Sequence, residues 1–260
     1  MSVQQVHSDG IYHGLPVYPD TLSGLTAIIT GANGISGHYM LRVLAKAPQR
    51  WKRIICLSRR PPLIPGGLPP NAEHVPLDFL QDPQDIASVL KDHNVSAVDH
   101  IFFFSYIQPA PKPGQGLWSD AEEMTRVNAL LLSNFVEAIK AAGIQPKRFM
   151  LQTGAKNYGV HLGPTKVPQE ESDPRVEFEP NFYYAVSEKS RRSLTLRACV
   201  TAITSFNLTA RWSCLSIALH SACQLHKLRY PTLSFVPLSR PKHMISSTTP
   251  RLRLLLREPA

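Results

Sequence analysis

Leu25-Thr-Ala-Ile-Ile-Thr-Gly31-Ala-Asn-Gly34-Ile-Ser-Gly37 is a short apolar, β-branched run that ends on glycine and carries two more glycines at spacings of three. Beyond it, Ile35, Tyr39, Leu41, Val43 and Leu44 recur at loosely helical spacing to about residue 47. Strand, tight turn and helix are the reading. In such a unit the first glycine, Gly31, permits the turn, Gly34 lets backbone N–H groups approach a pyrophosphate, and Gly37 brings helix against strand. Three glycines alone are a weak signal, and a purely structural turn is the alternative. The strand before and the helix after favour a dinucleotide site.

The same alternation continues outward. Arg53–Ser58 reads as a second strand, 61–70 as a Pro/Gly-rich loop, His74–Leu77 as a third strand and Gln84–His93 as a helix. Ala97–Phe104 is a continuous apolar run of the kind a strand buried on both faces shows. A loop through Pro109–Pro113 and Gly114–Gly116 leads to a long helix, roughly Ala121–Ala142, stopped by Gly143, and Lys147–Gln152 follows as a strand. Parallel neighbours need a covering crossover between them, so alternating strands and helices predict an α/β fold. The expectation is a Rossmann-type, doubly wound parallel sheet whose order reverses near the first strand.

Two positions after the second and third strands bear on the ligand. NAD-preferring sites place a carboxylate after the second strand, where this chain has Ser58-Arg59-Arg60. Two guanidinium groups suit the 2′-phosphate of NADP by charge and bidentate geometry, the alternative being a solvated surface loop. Asp78-Phe79 could meet an adenine amino group and ring face, or Asp78 could cap the next turn. A short-chain dehydrogenase normally carries Tyr-x-x-x-Lys on one helix; here the residues four beyond Tyr158, Tyr183 and Tyr184 are Leu162, Ser187 and Glu188. The lysine must come from elsewhere. Lys156, just past the fifth strand, stands where a nicotinamide would lie.

Leu-Gln-Thr-Gly-Ala-Lys-Asn-Tyr-Gly-Val-His-Leu-Gly-Pro (151–164), the acidic stretch to Pro174-Arg175 and Asn-Phe-Tyr-Tyr (181–184) resemble the progesterone 5-beta-reductase and iridoid synthase-like group in its fungal form. Members of this group are atypical extended short-chain dehydrogenases. The resemblance covers roughly residues 25–185, including the glycine turn, Arg59-Arg60 and Asp78-Phe79. It implies Lys156 as the catalytic lysine and Tyr183 as the phenolic donor. It also implies that Asn33, Gly34, Ile35, Arg59, Arg60, Asp78, Phe79, Ser105 and Gln152 surround NADP(H), with Tyr158 structural. The activity implied is NADPH-dependent reduction of an enone, enal or carbonyl small molecule, in fungal secondary metabolism. The family would continue with a Glu-Asp-containing helix, an Arg-Pro strand and a substrate-binding region. Ala185-Val186-Ser187-Glu188-Lys189 departs from that helix, and no Arg-Pro strand is recognisable.

The formal net charge of +9 over 260 residues invites a nucleic-acid or membrane partner, but its distribution argues against both. Residues 1–188 hold 16 Lys and Arg against 18 Asp and Glu, whereas 189–260 hold 12 against 1. The expected organisation is an N-terminal extension over 1–24, an NADP-binding domain over 25–188 and a basic, poorly ordered segment over 189–260. That segment reads either as an interaction tail or as the product of an unspliced intron or altered frame. Cys56, Cys199, Cys214 and Cys223 form no Cys-x-x-Cys pair, so no metal site is expected. No run approaches the roughly 18 apolar residues of a membrane span, and the N-terminus shows no leader, so a cytoplasmic protein is expected. The rival to an enzyme is a non-catalytic NADP-binding regulator or an inactive truncated product. Substrate and oligomeric state are not legible.

Overall fold

The computed structural model describes residues 6–9, 12–16, 21–117, 119–170 and 172–193. In chain order these form β1 (Val6–Asp9), β2 (Tyr12–Pro16), β3 (Leu25–Thr30), α1 (Ile35–Ala45), β4 (Trp51–Ser58), β5 (Ala72–Pro76) and α2 (Pro83–Asp92). Then come β6 (His100–Phe103), α3 (Ala121–Ala141), β7 (Arg148–Leu151), a 3-10 turn at Ala155–Tyr158, and α4 (Phe182–Ser193). The expectation of a poorly ordered basic segment over 189–260 lies, from residue 194 on, outside the described residues.

Strands β5-β4-β3-β6-β7 pair in that order, all parallel. The chain runs from β3 outward to β5, then returns to the other side of β3 with β6. The order therefore reverses beside the first strand of the sheet, as the alternation of strands and helices predicts, and the α/β Rossmann-type architecture holds. The two faces are built by residue parity. Ala27, Ile29, Ile54, Cys56, Phe102 and Met150 pack under Met40, Leu41 and Leu44 of α1. Ile28, Ile55, Leu57, Ile101, Phe103, Phe149 and Leu151 pack under α2, α3 and α4. Both faces are apolar because both are covered, which is why these strands read as unbroken apolar runs rather than alternating ones. Phe135 of α3 is fully buried and lies edge-on to Phe79, with ring centroids 5.1 Å apart. Truncating such a phenylalanine to alanine costs about 3–5 kcal/mol.

Side-chain hydrogen bonds trim one of the expected elements. The run Ala97–Phe104 yields a strand only over His100–Phe103. At its start the Asp99 carboxylate accepts the Thr26 amide at 2.8 Å, and at its end the amides of Phe104 and Ser105 donate to Thr30 Oγ1, both at 3.1 Å. Backbone groups taken up by side chains are no longer available to the ladder. Gly143, with φ 73, stops the helix beginning at Ala121, its amide donating to Lys140 O. Two elements were not expected. Strands β1 and β2 pair antiparallel inside the presumed extension, and the segment after Asn181 is helical to Ser193, where the sequence departs from the helix that the resemblance implies.

Candidate functional site

The glycine turn after β3 is a close-fitting backbone junction. Gly31 has φ +66, and a Cβ there would come within 2.9 Å of the Phe104 carbonyl carbon on the neighbouring strand's extension. A Cβ on Gly37, in the first turn of α1, would lie 2.4 Å from Gly31 O. No side chain fits either place, so the spacing of glycines is a packing requirement as well as an opening for phosphate. Asn33 Nδ2 donates to Pro61 O at 2.8 Å and Ser58 Oγ donates to Arg60 O at 2.8 Å. The first bond draws the Arg59-Arg60 loop against the glycine turn, and the second folds the loop on itself.

A cleft of about 970 Å³ opens over the carboxyl ends of the strands. Its lining holds Gly31, Asn33, Gly34, Ile35, Gly37, Ser58, Arg59, Arg60, Asp78, Phe79, Ser105, Gln152, Lys156 and Tyr183. The fold thus brings together every position singled out from the sequence, and Tyr158 is not among the lining residues. The shape and donors of the upper half fit a dinucleotide: a backbone cradle closed to any Cβ, two free-standing guanidinium side chains, and the α1 N-terminus. Asp78 Oδ1 accepts the Leu80 amide at 3.0 Å, so this carboxylate caps its own turn. The Phe79 ring is buried in the core, tilted against Phe103 and edge-on to Phe135.

Two buried asparagines on α3 hold the loops that form the cleft. Asn128 Nδ2 donates to Ile107 O and its Oδ1 accepts the Ile107 amide, both at 2.9 Å. Asn134 Nδ2 donates to Phe79 O at 3.1 Å and Gln81 O at 3.0 Å. Each asparagine replaces a missing backbone partner for a chain that has just left the sheet. Neither asparagine is singled out by the sequence pattern. An amide on an otherwise apolar face was the available signal, because a buried amide has to be satisfied.

The motif Asn181-Phe182-Tyr183-Tyr184 divides its labour residue by residue. Asn181 Oδ1 accepts the Tyr183 amide at 3.0 Å, capping α4, while its Nδ2 donates to Lys156 O at 2.8 Å. One side chain therefore fixes the helix carrying Tyr183 against the turn carrying Lys156. Phe182 is buried and packs on the Tyr106 ring, centroids 5.6 Å apart. Tyr183 enters the cleft, whereas Tyr184 points away. The Tyr184 hydroxyl donates to Asn157 O at 2.7 Å and accepts the Val176 amide at 2.9 Å, with Arg175 over its ring. It sews the 159–181 segment onto the Lys156 turn.

Burial, with the Tyr106 phenol nearby, pushes the Tyr183 hydroxyl up to about 12. Burial pulls the Lys156 ammonium down to about 8, a pull that the Glu179 charge opposes. Tyr183 is accordingly a neutral phenol across the ordinary pH range, able to donate a hydrogen bond and unsuited to act as a phenolate base. No cluster of three or more metal-ligating side chains occurs among the described residues. Cys56 is buried with its thiol pushed up to about 12, and the other three cysteines lie outside the described residues. Among the described residues no helix is long and apolar enough to cross a membrane.

The profile of the NAD dependent epimerase/dehydratase family matches residues 27–207. The uncharacterized protein C757.02c of Schizosaccharomyces pombe is 33% identical over 167 residues, covering 62% of this chain and 38% of that protein. The short chain dehydrogenase gsfE of Penicillium aethiopicum is 35% identical over 163 residues, covering 61% of this chain and 40% of that protein. The aligned part thus spans about two fifths of the length of these curated relatives. Among solved structures, DesIV, a dTDP-glucose 4,6-dehydratase from Streptomyces venezuelae with NAD and TYD bound, superposes with TM-score 0.50 at 18% identity, covering 68% of this chain and 55% of that one. That likeness bears on the fold alone.

Proposed function

The chain belongs to the NAD dependent epimerase/dehydratase family, and we propose that it is an NADPH-dependent reductase of a small enone, enal or ketone. The observation that carries this reading is a neutral Tyr183 phenol sharing one cleft with Lys156 and the glycine turn. Arg59 and Arg60 on the same cleft support NADP over NAD, since a 2′-phosphate needs cationic, bidentate partners. The fungal relative named as a short chain dehydrogenase supports the oxidoreductase class. The resemblance of residues 151–184 to the progesterone 5-beta-reductase and iridoid synthase-like group narrows it to enone or carbonyl reduction. A role in fungal secondary metabolism, acting in the cytoplasm, belongs to the same proposal.

Hydride delivery to the β-carbon of an enone, or to a carbonyl carbon, is the chemistry that bound NADPH supplies. The chain's own groups then act on the charge that develops. Electron density moves to the carbonyl oxygen, where the Tyr183 O–H donates a hydrogen bond. A donor aimed at such an oxyanion is worth about 3–4 kcal/mol of barrier. In 1,4-reduction the α-carbon takes its proton from water, and in 1,2-reduction the phenol proton passes to the alkoxide. Lys156, which lines the same cleft, would hold the cofactor's ribose hydroxyls, and Asn128 fixes Ile107 in the loop that also carries Tyr106 and Gln108.

The test pairs two measurements on the purified chain: NADPH binding by fluorescence, and enone-dependent NADPH oxidation. Binding with oxidation supports the reductase. Binding without oxidation favours a non-catalytic NADP-binding protein. Absence of both overturns the proposal.

A further inference from the structure

Beside the main cleft lies a small cavity of about 20 Å³ lined by Lys156, His161, Glu179 and Asn181, and both Lys156 and His161 also face the cleft. His161 Nε2 is 3.2 Å from Glu179 Oε1, with the imidazole 15% and the carboxylate 30% exposed. A carboxylate only accepts, so Nε2 carries the proton and the contact is an N–H donated to Glu179. One carboxylate oxygen is thereby held, and Glu179 lines the same small cavity as Lys156. The backbone on both sides is fixed as well, Lys156 O accepting from Asn181 Nδ2 at 2.8 Å, two residues after Glu179.

We propose that Glu179, held by His161, is the positioning residue for Lys156 across the small cavity that the two share. The titratable groups at this corner are Tyr183 on α4, Tyr106 after β6, and His161 and Glu179 in the segment between the 3-10 turn and α4. Of these Glu179 is the one carboxylate, and it opposes the loss of charge that burial imposes on Lys156. In families that carry tyrosine and lysine on one helix, the helix itself sets the lysine's place. Here Lys156 comes from a short turn, and an outside partner supplies what the helix would. The charge relation stands without the reductase reading; its consequence for turnover rests on that reading.

The test follows Lys156 directly. The full chain is reductively methylated with 13C-formaldehyde, the Lys156 signal is assigned by its loss in Lys156→Arg, and its titration is followed by NMR without cofactor. Glu179→Gln is expected to lower the Lys156 midpoint by about one unit, the effect of losing a nearby opposite charge. His161→Gln, whose amide still donates to Glu179, keeps the midpoint near wild type, while His161→Ala lowers it part of the way. An unchanged midpoint in a folded Glu179→Gln protein overturns the proposal. If Glu179→Gln does not fold, equal midpoints in His161→Ala and His161→Gln overturn it. NADPH binding measured on the same samples reports on the reductase reading separately, so a chain that shows the shift without binding NADPH keeps this proposal and loses the other.

Discussion

The Tyr183 hydroxyl occupies the space above Gly154 where a side chain would otherwise stand: a Cβ on Gly154 would meet Tyr183 Oη at 2.9 Å and Cζ at 3.6 Å. Gly154 has φ −147 and ψ −176, extended backbone open to any residue, so space rather than conformation demands glycine here.

Gly154→Ala is therefore expected to fold and to bind NADPH with near-native affinity while displacing the phenol from the cleft. Turnover of an enone substrate should fall by a factor comparable to that of Tyr183→Phe. Steady-state kinetics beside a fluorescence binding titration would check it, and an unaffected rate would mean the hydroxyl has room to move without consequence.

Tyr183→Phe and Lys156→Ala should part company in the same assays. Removing the phenol is expected to lower kcat and leave NADPH affinity intact, because the hydroxyl acts only where charge develops on the substrate oxygen. Removing the lysine should weaken both. Wild-type turnover in Tyr183→Phe would assign the donor role to another hydroxyl, with Tyr106 on the same cleft as the next candidate.

Arg59→Ala with Arg60→Ala is expected to abolish a preference for NADPH over NADH. Each charge-assisted hydrogen bond to the 2′-phosphate is worth about 1.5–3 kcal/mol, so the double variant should lose affinity for NADPH selectively. Parallel titrations with both cofactors decide it. Equal affinities in the unmodified chain would remove the basis of the prediction.

Asn128→Ala leaves the amide and carbonyl of Ile107 without their partner and should destabilise the fold by about 1–3 kcal/mol. Because the lost bonds hold a cleft loop, NADPH or substrate affinity should weaken at temperatures where the protein is still folded. Urea denaturation and binding titrations together separate the two effects; a stable variant with unchanged binding would show that the loop holds itself.

Burial pulls His100 down to about 4 from an ordinary 6.5, and its Nδ1 has no hydrogen-bond partner. The ring sits edge-on to Trp51, centroids 5.2 Å apart, and stacked on Phe102. Between those two values the unfolded chain takes up a proton that the folded chain refuses. Stability from this group is thus full above about 6.5 and is lost progressively as pH falls toward about 4. His100→Phe should flatten that part of the stability profile, measured by urea denaturation across the window. Asp99, held low by Lys147 and the Thr26 amide, will still cost stability at more acidic pH in both proteins.

What could be read in the chain alone was whatever depends on local pattern. The strand-turn-helix at Gly31, the unbroken apolar strands and the stop at Gly143 follow from period, β-branching and glycine spacing, and together they specify a parallel sheet reversing at β3. Residue chemistry at strand ends marked Arg59, Arg60 and Lys156, because in this architecture strand ends converge on one cleft, whereas Tyr183, on α4, was marked only by the resemblance of residues 181–184 to a known family. The tertiary structure decided what depends on contacts between distant segments. Thr30 Oγ1 ends β6 from 74 residues away, Asn128 and Asn134 pin loops 21 and 55 residues off, and Asn181 locks the Lys156 turn to α4. None of these has a periodic signature, since a single buried amide or hydroxyl finds its partner only once the sheet has brought the segments together. A phenol raised by burial and a lysine lowered by it are likewise properties of the packed cleft, not of the residues that line it.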